Sequence, residues 1–309
     1  MTNAWIQRFL TIANVLAFWG WAMHLWPEHR GWAILAFFAP VLITPVVLLQ
    51  SFSMAWWVNR QDNVPSPALT HWLRAWWAET MASLKIVHFW QPFRHQAIPD
   101  HLPQTPGRRG MVLVHGFFCN RAFWTDWMKR LQTEGRAFVS VDLEPAYGSI
   151  NEYAAIVERA IAQVERATGV PPVVVGHSMG GLAIRAWAAA YSAQGGQMNR
   201  VARIFTLGTP HHGTGIARLS FTTNGVQMRQ ASTWQTSNLE QLPENFSTQV
   251  TCFYSNCDNI VFPSTTACLA GADNQLVLGK GHVELAFFEG IQNRCWQALD
   301  ASEQTHEQE

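Results

Sequence analysis

Two long apolar runs open the chain. Between residues 9 and 26 the only ionisable side chain is His24, and between 32 and 58 there is none. The polar turn Pro27-Glu28-His29-Arg30-Gly31 separates them. The second run is long enough as a helix to cross ~30 Å of hydrocarbon, and Pro40 and Pro45 within it are tolerated in membrane helices. The first run does not read as a secretory leader, because no small-x-small cleavage site follows and a second apolar run does. Residues 1–60 are therefore expected to form two hydrophobic membrane helices. Next, Leu69, Trp72, Leu73, Trp76, Trp77, Met81 and Leu84 recur at three- and four-residue spacing, with His71, Arg74, Glu79 and Lys85 largely on other faces. That spacing predicts an amphipathic helix lying in a membrane interface. The helix and a linker carrying Pro92, Pro99, Pro103 and Pro106 fill residues 61–109.

From residue 110 the pattern changes. Short apolar or β-branched runs at 111–114, 137–141, 172–175, 201–207, 249–254 and 275–278 alternate with helical stretches at 121–132, 151–167, 182–191 and 283–299. Alternation of this kind predicts an α/β fold, a mostly parallel sheet covered by helices on both faces, over residues 110–300. Residues 214–244 are polar with scattered apolar positions and no strand pattern. An insertion of that length in a compact domain reads as a lid. Residues 301–309 form a polar tail.

Composition sharpens the division. Of sixteen tryptophans, eleven lie before residue 91, and tryptophan favours the membrane–water boundary. Equal numbers of basic and acidic residues, 21 of each, imply no nucleic-acid partner. The five cysteines contain no Cys-x-x-Cys pair, so reduced, buried thiols are expected and not a disulfide framework or zinc site. Arg8, Arg60, Arg74 and Lys85 flank the apolar runs, and Arg30 sits beside Glu28 in the turn. This bias places both termini and the catalytic part in the cytoplasm.

The candidate chemistry centres on Val173-Val174-Val175-Gly176-His177-Ser178-Met179-Gly180-Gly181. A Gly-x-Ser-x-Gly turn between a buried strand and a helix projects the serine hydroxyl from strained backbone beside free N–H groups. A serine nucleophile needs a base, and the base an orienting carboxylate, in the chain order Ser, acid, His. His282 sits between a strand and a helix, whereas His306 lies in the tail, and His211 and His212 come too early and read as structural. Asp258 follows the strand at 249–254; its competitor Asp273 precedes the next strand. Met179 and Phe117, the latter in His115-Gly116-Phe117, would supply the N–H groups of an oxyanion hole.

His115-Gly116-Phe117, the Ser178 elbow, Leu207-Gly208-Thr209-Pro210-His211-His212-Gly213-Thr214, Asp258-Asn259-Ile260-Val261 and Gly281-His282 resemble the bacterial lipase branch of the α/β-hydrolase superfamily. The resemblance spans about residues 110–300. It implies an acyl-enzyme ester hydrolase working through Ser178, Asp258 and His282, with no metal or organic cofactor. A sheet beginning at Met111 leaves room only for a minimal form lacking the first hairpin. The N-terminal runs imply a protein of the bacterial inner membrane acting on an acyl-ester or lipid substrate. The same residues would also serve an acyltransferase, and a non-catalytic membrane-bound binding protein is the reading from another class.

Overall fold

Six short strands follow one another at the pitch the sequence implies: β1 Met111–Val114, β2 Phe138–Ser140, β3 Val173–His177, β4 Arg203–Leu207, β5 Val250–Ser255 and β6 Asp273–Val277. In the computed structural model, which describes residues 2–301, they form one sheet in the order β2-β1-β3-β4-β5-β6. Every strand pairing is parallel, with Met111 beside Phe138 on one side and Val173 on the other. Val173, Val174 and Val175 are each 0% exposed. A side chain buried to that degree contributes about 1.5–3 kcal/mol, which explains the uninterrupted β-branched run in a central strand.

Helices cover both faces. On one, α5 (Ala154–Thr168) and α6 (Met179–Ala193) pack Ile161, Val164, Leu182 and Trp187 onto Val112, Val174 and Ile204. On the other, α4 (Thr125–Thr133) and α9 (Glu289–Asp300) enclose Trp127, Leu131, Ile291 and Trp296 against Leu113, Val175 and Phe253. The sequence pattern implied one helix over 283–299. Instead a 3-10 turn, Glu284–Phe287, precedes α9, and Phe288 between them is extended. The tail at 302–309, with His306, lies outside the described residues.

The N-terminal residues make three helices: α1 Asn3–Leu25, α2 Arg30–Asn59 and α3 Leu69–Lys85. The α1–α2 pair is a hairpin in which Trp19 stacks on Phe37 at 5.2 Å. Much of its outer surface is apolar: Phe9, Leu16, Trp32, Val46 and Trp57 are all exposed. Among the described residues α2 alone is long and apolar enough to cross a membrane, and its 30 residues span about 45 Å. The first turns of α1 are polar and meet the sheet domain, with Asn3 and Gln7 buried.

The proline-rich stretch expected to be a linker is a strap on the sheet edge. His101 forms an antiparallel bridge with Phe138, exchanging N–H···O bonds of 3.1 and 2.7 Å. Asp100 accepts from Arg121 and from the Ser140 N–H. The otherwise open edge of β2 is closed in this way. Residues 214–244 contain two short helices, α7 Thr223–Gln227 and α8 Thr233–Glu240. Buried Arg185 of α6 ties α8 down through Asn238 and Gln235, and Asn224 of α7 donates to the Ala146 carbonyl. Phe221, ahead of α7, is 93% exposed.

Candidate active site

Ser178 sits at the C-terminal end of β3 with φ 55° and ψ −129°, a left-handed conformation that costs a residue with a side chain of order 1–3 kcal/mol. The turn is held by the Ser178 N–H donating to Leu207 O and by Thr209 Oγ1 donating to Ser178 O. It also depends on Gly180. A Cβ there would stand 2.3 Å from Val114 O and 2.6 Å from His115 O, so the first turn of α6 presses directly on the end of β1. Gly180→Ala should therefore cost about 1–3 kcal/mol or more, read as a fall in the denaturation midpoint.

Three loops leave the C-terminal ends of their strands and converge here. After β5, Asp258 is 1% exposed, its Oδ1 accepting from the N–H groups of Ile260 and Val261 at 2.8 Å each. Its Oδ2 lies 2.8 Å from His282 Nδ1, so Nδ1 carries the proton and Nε2 is left as the free base. The loop after β6 carries His282, whose N–H donates to Asn259 Oδ1 at 3.2 Å. Burial alone would push the His282 imidazolium down. The charge and hydrogen bond of Asp258, aided by Glu79, hold it above the ordinary histidine value. Among the described residues the Ser178 hydroxyl has no hydrogen-bond partner, and such contacts commonly tighten only when substrate arrives.

The third loop follows β1. Neither the Phe117 N–H nor the Met179 N–H donates to a protein acceptor among the described residues. The loop is set by His115, whose Nδ1 donates to Gly116 O at 2.9 Å while Nε2 accepts the Leu143 N–H at 3.0 Å. Desolvation keeps this histidine neutral, which that pair of bonds requires.

Other residues fall where the sequence could not put them. His177, the variable position of the elbow, stacks on Phe123 at 4.5 Å and donates Nε2–H to the His282 carbonyl at 3.0 Å. Burial pushes its pKa well down, so it supports the histidine loop as a neutral ring. Asp273 lies at the opposite end of the sheet, accepting from Thr251 and facing Arg203. His211 is fully buried against Thr206 and Cys252. All five cysteines are free.

Each N-terminal helix grips one of the three loops. From α1, Asn3 Nδ2 donates to Cys119 O and Gln7 Nε2 to Phe118 O, while Asn120 Nδ2 donates back to Gln7 Oε1. From α2, Ser51 Oγ accepts from Asn259 at 3.0 Å and Asn59 Oδ1 from the Ser264 N–H; Asp62, just beyond, accepts from Thr265. From α3, Glu79 reaches the histidine loop. The sequence pattern set Glu79 among the polar positions away from the aromatic face; it is 1% exposed, while Leu69, Leu73, Trp77 and Met81 line the exposed side. The side turned to the protein carries Trp72, Ala75, Glu79, Thr80 and Ser83, whereas His71, Arg74 and Lys85 are exposed; Glu79 is the acceptor that the backbone N–H groups of the facing loop require.

A parallel sheet with a serine on a left-handed turn after its central strand defines a class, the α/β hydrolases. The chain belongs to the α/β hydrolase family, whose sequence pattern matches residues 111–280. No protein of curated function matches it significantly. Among solved structures it is similar to the mature lipase BlEst2 of Bacillus licheniformis, at 18% identity and a TM-score of 0.55 over 65% of this chain and 95% of that one. The propeptide form of the same lipase aligns at 19% identity and a TM-score of 0.53, over 64% of this chain and 52% of that one. At these identities the likeness establishes the fold.

Proposed function

We propose that this protein is a membrane-associated serine ester hydrolase acting on acyl esters of lipid type. The observation that carries the reading is Ser178 on its left-handed elbow at the strand end where the His282–Asp258 pair also lies. His282 Nε2 takes the proton from Ser178 Oγ as the oxygen adds to the acyl carbonyl. The N–H groups of Met179 and Phe117 receive the oxyanion. His282 then protonates the departing alkoxide, leaving an acyl-serine, and a water activated by the same nitrogen releases the acid and restores Ser178. Asp258 holds the productive tautomer throughout.

The lipid character of the substrate is supported by position. The exposed stripe Leu69, Leu73, Trp77 and Met81 lies on the helix that grips the histidine loop, beside a hairpin with an apolar exterior. Together they favour a bilayer surface close to the site, with α2 as the membrane segment; the cytoplasmic side for the sheet domain is proposed from the Arg and Lys that flank the apolar runs alone. The test is hydrolysis of p-nitrophenyl esters of graded chain length by the full chain in detergent, with identification of the residue labelled by a fluorophosphonate. Rates rising with chain length and a Ser178 adduct are the expected results. A preference for short soluble esters would overturn the lipid assignment, and an unlabelled Ser178 would overturn the hydrolase.

The raised His282 pKa adds a signed expectation. The base must be unprotonated to accept the serine proton, so kcat/KM should fall as pH drops through its pKa. That fall should centre above the ~6.5 of an ordinary histidine. Rate profiles between pH 5 and 9 would check it.

A further inference from the structure

We propose that Glu79 is a positioning residue for the reaction just described: its carboxylate, carried in on α3, fixes the loop that presents His282 to Asp258. The inference rests on that reading of Ser178, His282 and Asp258. Glu79 Oε1 and Oε2 accept the Val283 N–H at 2.9 and 3.0 Å, and Oε2 also accepts the Glu284 N–H at 3.0 Å. These are the two peptide groups immediately after the histidine. Gly281, immediately before it, lies flat against the same carboxylate, where a Cβ would stand 2.6 Å from Glu79 Oε2. The loop therefore wraps the carboxylate on both sides of His282. The Val283 and Glu284 N–H groups stand at the start of the 3-10 turn Glu284–Phe287, where no backbone acceptor within the turn reaches them.

A buried carboxylate needs a reason to be there, since its desolvation costs several kcal/mol. Two charge-assisted bonds to otherwise unpaired N–H groups supply one. Burial raises the Glu79 pKa to about 7 against the lowering effect of those N–H groups and of His282. The charged and titratable groups around it are His282, Asp258 and Cys257 on the facing loops, and the Lys280–Glu284 pair at 2.5 Å. His71, earlier on α3, touches the same loop at Gly279, and His177 supports His282 from the elbow. Among these Glu79 is the anion that contacts the backbone of the loop from outside the sheet domain. Its two oxygens hold the loop, and in the ionised form they favour the imidazolium that forms during attack.

The test uses the full chain in detergent, wild type and Glu79→Gln, with two readouts. The first is deuterium uptake of the peptide covering residues 281–287, corrected for intrinsic exchange. The second is the rate of fluorophosphonate labelling at Ser178 from pH 5 to 9. The variant should take up deuterium faster in that peptide and label roughly ten- to a hundredfold more slowly, the loss expected for a reacting group displaced by about an ångström. Its acidic limb should move to lower pH and become shallower, because one anion beside His282 and one titrating group are gone. Unchanged uptake, or slowed labelling with the acidic limb unmoved, overturns the assignment. A wild type that never labels overturns the hydrolase reading instead, while the uptake comparison still decides whether Glu79 holds the loop. Should Glu79→Gln fail to fold, Glu79→Asp decides, since it keeps the carboxylate but withdraws it by one methylene from the Val283 and Glu284 N–H groups. Faster uptake at 281–287 in that variant supports the clamp, and unchanged uptake overturns it.

Discussion

Ser178→Ala is expected to lower kcat for ester hydrolysis by about 10⁴- to 10⁶-fold, leaving the small residue of rate that oxyanion donors and binding sustain without a nucleophile. The size follows from the mechanism. Without Oγ no acyl-enzyme forms, and water must attack directly, with His282 as base but no covalent intermediate. The fold should be untouched: alanine keeps the same left-handed backbone, and among the described residues the hydroxyl has no hydrogen-bond partner whose loss would be felt. Thermal unfolding and circular dichroism should match the wild type while p-nitrophenyl ester turnover falls to that residual rate. A variant that retained a tenth of the activity would place the chemistry elsewhere.

Asp258→Asn is expected to be nearly as severe, about 10⁴-fold in kcat, or roughly 5.5 kcal/mol of barrier. The carboxylate has two tasks. Oδ1 collects the N–H groups of Ile260 and Val261, and Oδ2 receives the proton on His282 Nδ1. An amide can keep one. With its oxygen on the two N–H groups, its NH₂ faces Nδ1 and forces the imidazole to accept there. The proton then sits on Nε2, on the nitrogen that should receive one. Measured beside Asp273→Asn, the contrast is diagnostic, since Asp273 lies at the far end of the sheet and its loss should leave kcat within a few-fold. Equal effects would overturn the assignment of the acid.

The parts legible in the chain were those written in local pattern. The β-branched run at 173–175, the glycines around Ser178 and the order Ser, Asp, His each follow from spacing, and strand, elbow and loop lie where that spacing puts them. What periodicity could not reveal is which face of an amphipathic helix turns inward. On α3 the spacing set an aromatic face towards a membrane interface and left Glu79 among the polar positions elsewhere, yet the decisive contact is that one carboxylate against two N–H groups more than 200 residues away. Gln7, Gln91 and Asn120 are equally silent: three amides, unremarkable singly, that become a buried cluster only when α1, the end of the α3 arm and the loop after β1 meet. The strap at His101 was hidden for a simpler reason. Prolines mark irregular backbone, and irregular backbone can be pinned as firmly as a strand when carbonyls and an aspartate find donors. The last helix is shorter than its spacing implies because Phe288 is extended and parts it from the 3-10 turn Glu284–Phe287.

The grip of α1, α2 and α3 on the three loops of the proposed site bears on how the protein comes into being. Synthesis runs from the N-terminus at ~5–20 residues per second, so the residues of all three helices are made before those of the first strand. The loops after β1, β5 and β6 are made later than the side chains of Gln7, Ser51 and Glu79 that they meet. The helical arm is in this sense a template, and a sheet domain produced without it would emerge with its three loops unguided.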